Sequence, residues 1–172
     1  MTLICGIDEA GRGPVIGPLV MAGVNLNKED EHKLKSLGVT DSKLLTEEKR
    51  QKLCQRIMTN CIAYGVASAS VAEIDELNIL QASLLAMQRA INQLSVKPDK
   101  VLIDGNQCPV LPYKTETIVR GDHTVPVISA ASIVAKVLRD NTMNLYEQQF
   151  PGYGFAEHKG YGTAKHLAAI HR

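Results

Sequence analysis

Near its N-terminus the chain reads Leu3-Ile4-Cys5-Gly6-Ile7-Asp8-Glu9-Ala10-Gly11-Arg12-Gly13-Pro14, and this stretch decides the fold. Its apolar part, residues 3–8, is typical of a buried strand and ends in the adjacent carboxylates of Asp8 and Glu9. Because neighbouring side chains of a strand point to opposite faces, we expect the strand to end, bend or bulge between these two acids. Two carboxylates beside a flexible glycine-rich backbone indicate a hard cation with a phosphate next to it.

The stretches that follow predict an α/β fold in which helices flank a mixed β-sheet. The glycine-rich turn joins the first strand to a second over residues 16–26, and residues 61–69 predict a third strand. Residues 27–41 are charged and predict an irregular segment with a single helical turn. Apolar runs predict further strands over residues 100–104 and 115–120. Strands that precede and alternate with helices favour this layered arrangement.

Capping patterns mark the helices. Thr46 is expected to cap one helix, and the Ser70-Val-Ala-Glu73 pattern predicts a capping box that opens another. The next helix has the clearest apolar stripe, which consists of Leu80, Leu84, Met87, Ile91 and Leu94. Residues 129–149 predict a long helix with Ser129 as its cap, and Thr163 is expected to cap the last helix. The polar side predicted for the long helix consists of Lys136, Arg139 and Asp140.

Composition limits the class of protein. A chain of 172 residues with mean hydropathy −0.05 fits one globular domain with its own core. No apolar run approaches the ~20 residues that span a bilayer, and no signal peptide is visible, so we expect a cytoplasmic protein without membrane contact. The four cysteines form no CxxC pair and are expected to be reduced thiols. A net charge of +1 neither favours nor excludes nucleic acid.

Two further acids complete a candidate site with the first pair. Asp104 ends a predicted strand, and it meets Asp8 if the two strands are parallel neighbours. Asp122 follows the strand after that. Clustered carboxylates repel one another unless cations neutralise them, and oxygen-only ligands select Mg²⁺ or Mn²⁺ over zinc. Two such ions about 4 Å apart hold the attacking and leaving oxygens of a phosphodiester. Taken singly, Asp104 and Asp122 fit ordinary turn residues equally well.

Other candidate residues carry weaker local signals. The Gly11-Arg12-Gly13 backbone can read a ribose 2′-hydroxyl, although the local pattern alone favours a plain hairpin turn. Tyr153 and Tyr161 are candidates for stacking on a sugar or base, with packing over the core as the alternative. The histidines show no metal-binding spacing and are expected at the surface, with His158 near a phosphate. The candidate phosphate ligands are Lys43, Lys136, Lys159 and Lys165, although each of them taken singly is more typical of a solvated side chain.

The chain resembles the bacterial ribonuclease HII family in six segments that lie in the family's order. These segments are Gly6–Pro14, Thr40–Thr46, Leu102–Asn106, Gly121–Pro126, Ile128–Lys136 and His158–Tyr161. The resemblance implies a single ribonuclease H-like domain over residues 1–172, with a helical substrate-binding segment from about residue 145. It implies a monomeric endonuclease that uses two Mg²⁺ or Mn²⁺ ions. The implied substrates are RNA/DNA hybrids and duplex DNA with single ribonucleotides, cut to leave 5′-phosphate and 3′-hydroxyl ends.

The family's functional positions correspond to residues of this sequence. The four acidic positions, catalytic and metal-binding, fall on Asp8, Glu9, Asp104 and Asp122. The turn that reads the 2′-hydroxyl falls on Gly11, Arg12 and Gly13. Lys43 matches a phosphate contact, and Tyr161 matches a tyrosine that stacks on the sugar after the ribonucleotide.

Two departures and three rival functions accompany the resemblance. His123 stands where many relatives carry a small polar residue, and the chain stops at Arg172, before the tail expected of the family. The close rival is ribonuclease HIII, which usually carries an extra N-terminal domain for which no room precedes residue 6. The other rivals are a Mg²⁺-dependent phosphatase of small esters and a hybrid-binding protein without catalysis.

Overall fold

Five strands form one sheet: β1 (Ile4–Ala10), β2 (Leu19–Leu26), β3 (Ala63–Ala69), β4 (Lys100–Asp104) and β5 (Lys114–Ile118). The computed structural model, which describes residues 1–172, arranges them in the order β3-β2-β1-β4-β5. The β1–β2 and β2–β3 pairs are antiparallel, whereas β1–β4 and β4–β5 are parallel. The predicted mixed sheet is confirmed, and so is the parallel pairing of the two strands that carry Asp8 and Asp104.

Eight helices accompany the sheet: α1 (Lys28–Ser36), α2 (Glu47–Asn60), α3 (Val71–Leu77), α4 (Ile79–Asn92), α5 (Gly121–Thr124), α6 (Pro126–Gln149), α7 (Phe155–His158) and α8 (Ala164–Ile170). Helix α6 packs on one face of β1 and β2, and α4 packs on the other face of the sheet against β2 and β3. Apolar side chains therefore fill a core on each side of the sheet. None of the helices is both long and apolar enough to cross a membrane.

Three of the predicted caps are present. The Thr46 side chain accepts a hydrogen bond from the Lys49 N–H, and Ser70 and Glu73 form the reciprocal capping box. The Thr163 hydroxyl accepts from the backbone N–H three residues later in α8. Each of these bonds is local and satisfies an N–H that the first helical turn leaves free, which is why short patterns predicted them.

Several boundaries differ from the prediction. The segment predicted to be irregular contains α1, which Asn27 caps and which Leu34 anchors in the core. Helix α6 begins at Pro126, so Ser129 lies inside it and donates its hydroxyl hydrogen to the Asp122 carbonyl. The second strand starts at Leu19 rather than at residue 16, because the chain before it forms the turn beside the site.

Burial also differs from the prediction at four polar residues. Arg139 and Asp140 lie inside the protein and not on an exposed side of α6. The prediction that the histidines lie at the surface is wrong for His158 and His166, which are both buried. These side chains are buried by segments distant in sequence, so helical periodicity alone could not place them.

Gly6 marks the closest approach of the sheet to α6. A Cβ added there would lie 2.2 Å from the Val127 carbonyl oxygen, which belongs to rigid helical backbone. We expect Gly6→Ala to lower the free energy of unfolding by about 3 kcal/mol or more, because the added methyl group would overpack a site that cannot relax. Urea denaturation measures this difference. Gly23→Ala on β2 is the control, because its Cβ would meet Cys5 Sγ at an ordinary 3.4 Å. Equal stabilities of the two variants would contradict this packing.

Candidate active site

A cavity of about 280 Å³ opens where β1 runs past the end of β4. The nine residues to which the family resemblance assigns a role all line it: Asp8, Glu9, Gly11, Arg12, Gly13, Lys43, Asp104, Asp122 and Tyr161. The cavity is lined further by Ala10, Ser42, Ser132, Lys136 and Arg139. The fold therefore brings together acidic, basic and glycine-rich segments that are far apart in the chain.

The parallel pairing of β1 and β4 brings the first acids together. Their ladder ends with Ile7 opposite Ile103, so Asp8 and Asp104 are the next residues on neighbouring strands. Asp122 joins them because its backbone N–H donates to Asp104 Oδ1 at 3.2 Å. Three segments of the chain thus place their carboxylates at the carboxyl ends of parallel strands, where α/β sheets place ligand sites.

Glu9 reaches the cavity without the break in the strand that the sequence predicted. The register of β1 against β2 continues without interruption to the pair Ala10 and Val20, so the strand neither ends nor bulges between the two acids. The Glu9 N–H donates to Asp8 Oδ1 at 2.8 Å. Because the ladder with β4 has already ended, the edge of β1 is open here, and both acids line the cavity that runs along it.

Burial and like charge disfavour ionisation of these acids. Burial raises the pKa of Asp8 well above its usual range, and the charges of Glu9, Asp104 and Asp122 raise it further. Burial likewise raises the pKa of Glu9, against the opposing effect of the Arg12 guanidinium, and it raises the pKa of Asp104. A divalent cation would relieve both penalties. The all-oxygen donor set of the cavity fits such a hard cation.

A second group of possible metal ligands lies at the rim of the acidic cluster. Ligand atoms of Asp41, Asp122 and His123 all lie within 4.8 Å of one another. His123 Nε2 is 3.2 Å from Asp41 Oδ2 and 3.9 Å from Asp122 Oδ1. Asp41 also accepts from the Lys43 N–H through Oδ1 and so fixes the backbone of that lysine. From the segment Asp41-Ser42-Lys43 the sequence analysis selected only Lys43 as a candidate site residue. The carboxylate of Asp41, two residues before it, was the signal that could have added this acid to the site.

Two of the four candidate phosphate ligands reach the cavity. Lys43 and Lys136 line it, and Lys136 Nζ lies 5.9 Å from the centre of the Tyr161 ring. Lys159 instead donates to the Asn144 side chain, and Lys165 pairs with Glu157. Among the cations that line the cavity, Lys43 acts on the charge of Asp104 and Arg12 on that of Glu9, whereas Lys136 Nζ also donates to Asp140 Oδ1 at 3.0 Å.

Sequence reasoning missed the role of Arg139. Its buried guanidinium donates to the carbonyl oxygens of Pro18 at 3.1 Å, Ile16 at 3.0 Å and Lys159 at 2.7 Å. It thereby ties the segment after the glycine-rich turn to the segment before Tyr161. The available signal was its position on α6, one turn after Lys136, which places the two cations on the same side of the helix.

Comparison with known proteins identifies the family. A family model described as ribonuclease HII matches residues 5–172. The chain belongs to the ribonuclease HII family. A ribonuclease HII of Coxiella burnetii (strain Dugway 5J108-111) is 61% identical over 170 residues, which are 99% of this chain and 82% of that protein.

Solved structures of ribonucleases H share the fold. The ribonuclease H2 from Pyrococcus horikoshii OT3 matches with a TM-score of 0.83 and 30% identity, covering 96% of this chain and 83% of that one. A chain from the PCNA:RNase HII complex of Archaeoglobus fulgidus matches with a TM-score of 0.78 and 29% identity, covering 98% and 86%. The sheet described above is thus a ribonuclease H fold.

Membership in the ribonuclease HII family decides among the rival functions. The chain is a ribonuclease H endonuclease, not a phosphatase of small esters or a hybrid-binding protein without catalysis. The family acts on RNA/DNA hybrids and depends on divalent metal ions. Membership in the family does not by itself identify the residues that bind metal and substrate. The geometry of the cavity is the basis on which they are proposed.

The raised pKa of Asp8 gives the metal-free protein a testable pH dependence. The folded chain holds this proton more tightly than the unfolded chain, so the ionised carboxylate destabilises the fold increasingly as pH rises above the unfolded pKa. We expect Asp8→Asn to raise the melting temperature in EDTA at pH 8 by several degrees. The gain should vanish below about pH 4, where the carboxyl is neutral in both states.

Thermal unfolding followed by circular dichroism measures this difference. Asp75→Asn is the matched control, because Asp75 is an exposed acid on α3 outside the cavity. Its melting temperature should follow that of the unchanged protein across the pH range. A metal-free Asp8→Asn protein that is less stable than the unchanged one at pH 8 would contradict the electrostatic description.

Proposed function

We propose that this ribonuclease HII cleaves the RNA strand of RNA/DNA hybrids and also duplex DNA at single embedded ribonucleotides. Cleavage on the 5′ side of the ribonucleotide leaves a 3′-hydroxyl and a 5′-phosphate. The observation that carries the proposal is the convergence of four acidic residues on one cavity with the glycine-rich turn and Tyr161. Removal of single ribonucleotides would serve DNA replication and repair.

The proposed cation ligands are the carboxylates of Asp8, Glu9 and Asp104, with Asp122 completing a second position. Two bound Mg²⁺ or Mn²⁺ ions would supply an activated water and neutralise the charge on the attacking and leaving oxygens. Burial supports this assignment, because Asp8 and Asp122 are only 5% and 7% exposed and the charges that act on Asp8 are those of the other carboxylates. Lys43 and Lys136 lie where they can contact the phosphates of the cleaved strand.

The proposed reader of the 2′-hydroxyl is the backbone of Gly11, Arg12 and Gly13. A 2′-hydroxyl both donates and accepts, so backbone N–H and C=O groups can bind it, and deoxyribose lacks it. Gly11 has φ +110°, and a Cβ there would lie 2.3 Å from the Pro18 carbonyl oxygen, so only glycine fits. At Gly13 a Cβ would lie 3.5 Å from Tyr161 Cε1, which places the turn directly beside the ring proposed to stack on the next sugar.

The proposed compartment is the cytoplasm, and the proposed unit is the monomer. All four cysteines are free thiols, as expected in a reducing compartment. The four acids that the proposed chemistry needs converge within a single chain.

Replacement of a carboxylate tests the assignment of the acids. We expect Asp8→Asn to reduce kcat/KM in Mg²⁺ more than about 100-fold, since loss even of an outer-shell metal partner costs up to that factor. The substrate is a duplex with one ribonucleotide, and the labelled strand is mapped for its cleavage position and end groups. Asp75→Asn is the control for loss of an acid elsewhere. Full activity of Asp8→Asn would end the assignment.

Removal of the Tyr161 ring tests recognition of the ribonucleotide junction. We expect Tyr161→Ala to lower kcat/KM on the single-ribonucleotide duplex by about tenfold, because stacking of one ring contributes about 1–3 kcal/mol. Tyr161→Phe keeps the ring and should retain most of the activity. Tyr64→Ala, which removes a similarly exposed ring from β3, is the control and should have no effect. Equal activities of Tyr161→Ala and the unchanged enzyme would rule out this role.

A further inference from the structure

Two buried histidines lie beneath the loop that carries Tyr161. The rings of His158 and His166 stack with centroids 4.0 Å apart and an interplanar angle of 11°. They are 7% and 0% exposed. The Phe155 ring meets both of them edge-on, with centroid distances of 5.8 Å. Neither imidazole lines the cavity, so neither belongs to the proposed contacts with metal or substrate.

The hydrogen bonds of the two rings define opposite tautomers. His158 Nδ1 accepts from the Gly160 N–H at 3.1 Å, so its proton is on Nε2, which donates to the Tyr153 carbonyl at 2.8 Å. His166 Nδ1 lies 2.8 Å from the Tyr161 carbonyl, which only accepts, so this ring carries its proton on Nδ1. His166 Nε2 is buried without a partner. His158 is therefore neutral, because one of its nitrogens accepts, and the arrangement favours a neutral His166, because a proton on its Nε2 would find no acceptor.

These bonds hold the backbone of Tyr161 on both sides of its Cα. The Tyr161 N–H donates to the His158 carbonyl at 2.9 Å, and the Tyr161 carbonyl accepts from both His166 and the Thr163 N–H. The preceding residues Lys159 and Gly160 have φ +52° and +87°. Left-handed backbone is uncommon for lysine, so the contacts around it must hold this conformation.

The opposite side of the loop is held by the segment that follows the glycine-rich turn. The Gly160 carbonyl accepts from the N–H groups of Val15 and Ile16, at 2.9 and 3.2 Å. The histidine pair is thus the inner support of a loop whose outer side is joined to the turn. The ring of Tyr161 is thereby held next to Gly13.

We propose that the stacked neutral pair of His158 and His166 is a positioning device that holds Tyr161 against Gly13. Through Tyr161 it acts on recognition of the ribonucleotide junction, and that consequence rests on the proposed function. The two histidines are positioning residues, because they contact neither the cavity nor the acids. His166 is the better test, since its ring bonds directly to the residue it would position.

Fluorine NMR tests the position of Tyr161 independently of catalysis. The metal-free protein is labelled with 3-fluorotyrosine, and Tyr161→Phe identifies the resonance of Tyr161. We expect His166→Leu, which removes the donor, to shift or broaden this resonance. We expect His166→Asn, which can place an amide N–H near the Nδ1 position, to restore it. An unchanged Tyr161 resonance in folded His166→Leu protein would overturn the proposal.

The tautomers themselves provide a test that needs no variant. Long-range ¹H–¹⁵N correlation spectra of the unchanged protein at pH 7 should show one buried imidazole protonated on Nε2 and another on Nδ1. Two identical tautomers, or a doubly protonated ring, would overturn the pair as described. This measurement decides the case if His166→Leu does not fold.

A double-mutant comparison tests the link to recognition. On the single-ribonucleotide duplex, we expect His166→Leu to lose up to about tenfold in kcat/KM, the loss expected for Tyr161→Ala itself. The variant that combines His166→Leu with Tyr161→Ala should have the same kcat/KM as Tyr161→Ala alone, because His166 acts only through the Tyr161 ring. Independent, multiplying losses would overturn action through Tyr161. If Tyr161→Ala alone has full activity, the proposed junction recognition fails, whereas the fluorine result still decides whether the pair positions the ring.

Discussion

The parallel pairing of β1 with β4 is the constraint on which the site depends. It places Asp8 and Asp104, 96 positions apart in the sequence, at the same end of the sheet. At Gly6 the backbone of α6 lies against one face of β1 and so fixes the position of this strand relative to the helix. A shift of β1 along α6 would therefore also move its acids. Because β4 stops pairing before Glu9, the edge of β1 opens into the cavity. The arrangement of strands thus determines both the acids that meet and the space between them.

The same constraint has an electrostatic cost. Buried carboxylates close to one another disfavour their ionised forms, as the raised pKa values of Asp8, Glu9 and Asp104 show. The apolar cores on both sides of the sheet hold these groups in place despite their repulsion. A site of this kind gains from divalent cations in two ways, since they neutralise the cluster and provide the chemistry that the family requires.

Local patterns predicted those parts of the fold that depend on local bonds. The caps at Thr46, Ser70 and Thr163 each use an N–H three residues away, and the apolar strands gave the mixed sheet. Helix α1 was missed because its charged surface hides the anchoring effect of Leu34, which comes from tertiary packing. The predicted start of α6 at Ser129 was wrong, because the Ser129 hydroxyl does not cap the helix but donates a hydrogen bond to the Asp122 carbonyl.

The acids were predictable for a different reason from the rest of the site. Asp8 and Asp104 end apolar strands, a pattern with physical meaning, whereas Gly11, Lys43 and Tyr161 were singled out mainly by the family resemblance. Buried Arg139 and the histidine pair depend on carbonyl groups from distant segments, which no local pattern reveals.

The most direct test is the position of Mn²⁺ ions, located by anomalous scattering in crystals with a non-cleavable ribonucleotide duplex. Two ions held by Asp8, Glu9, Asp104 and Asp122 are predicted. Ions bound only at Asp41 and His123, or none among the four carboxylates, would contradict the proposed site.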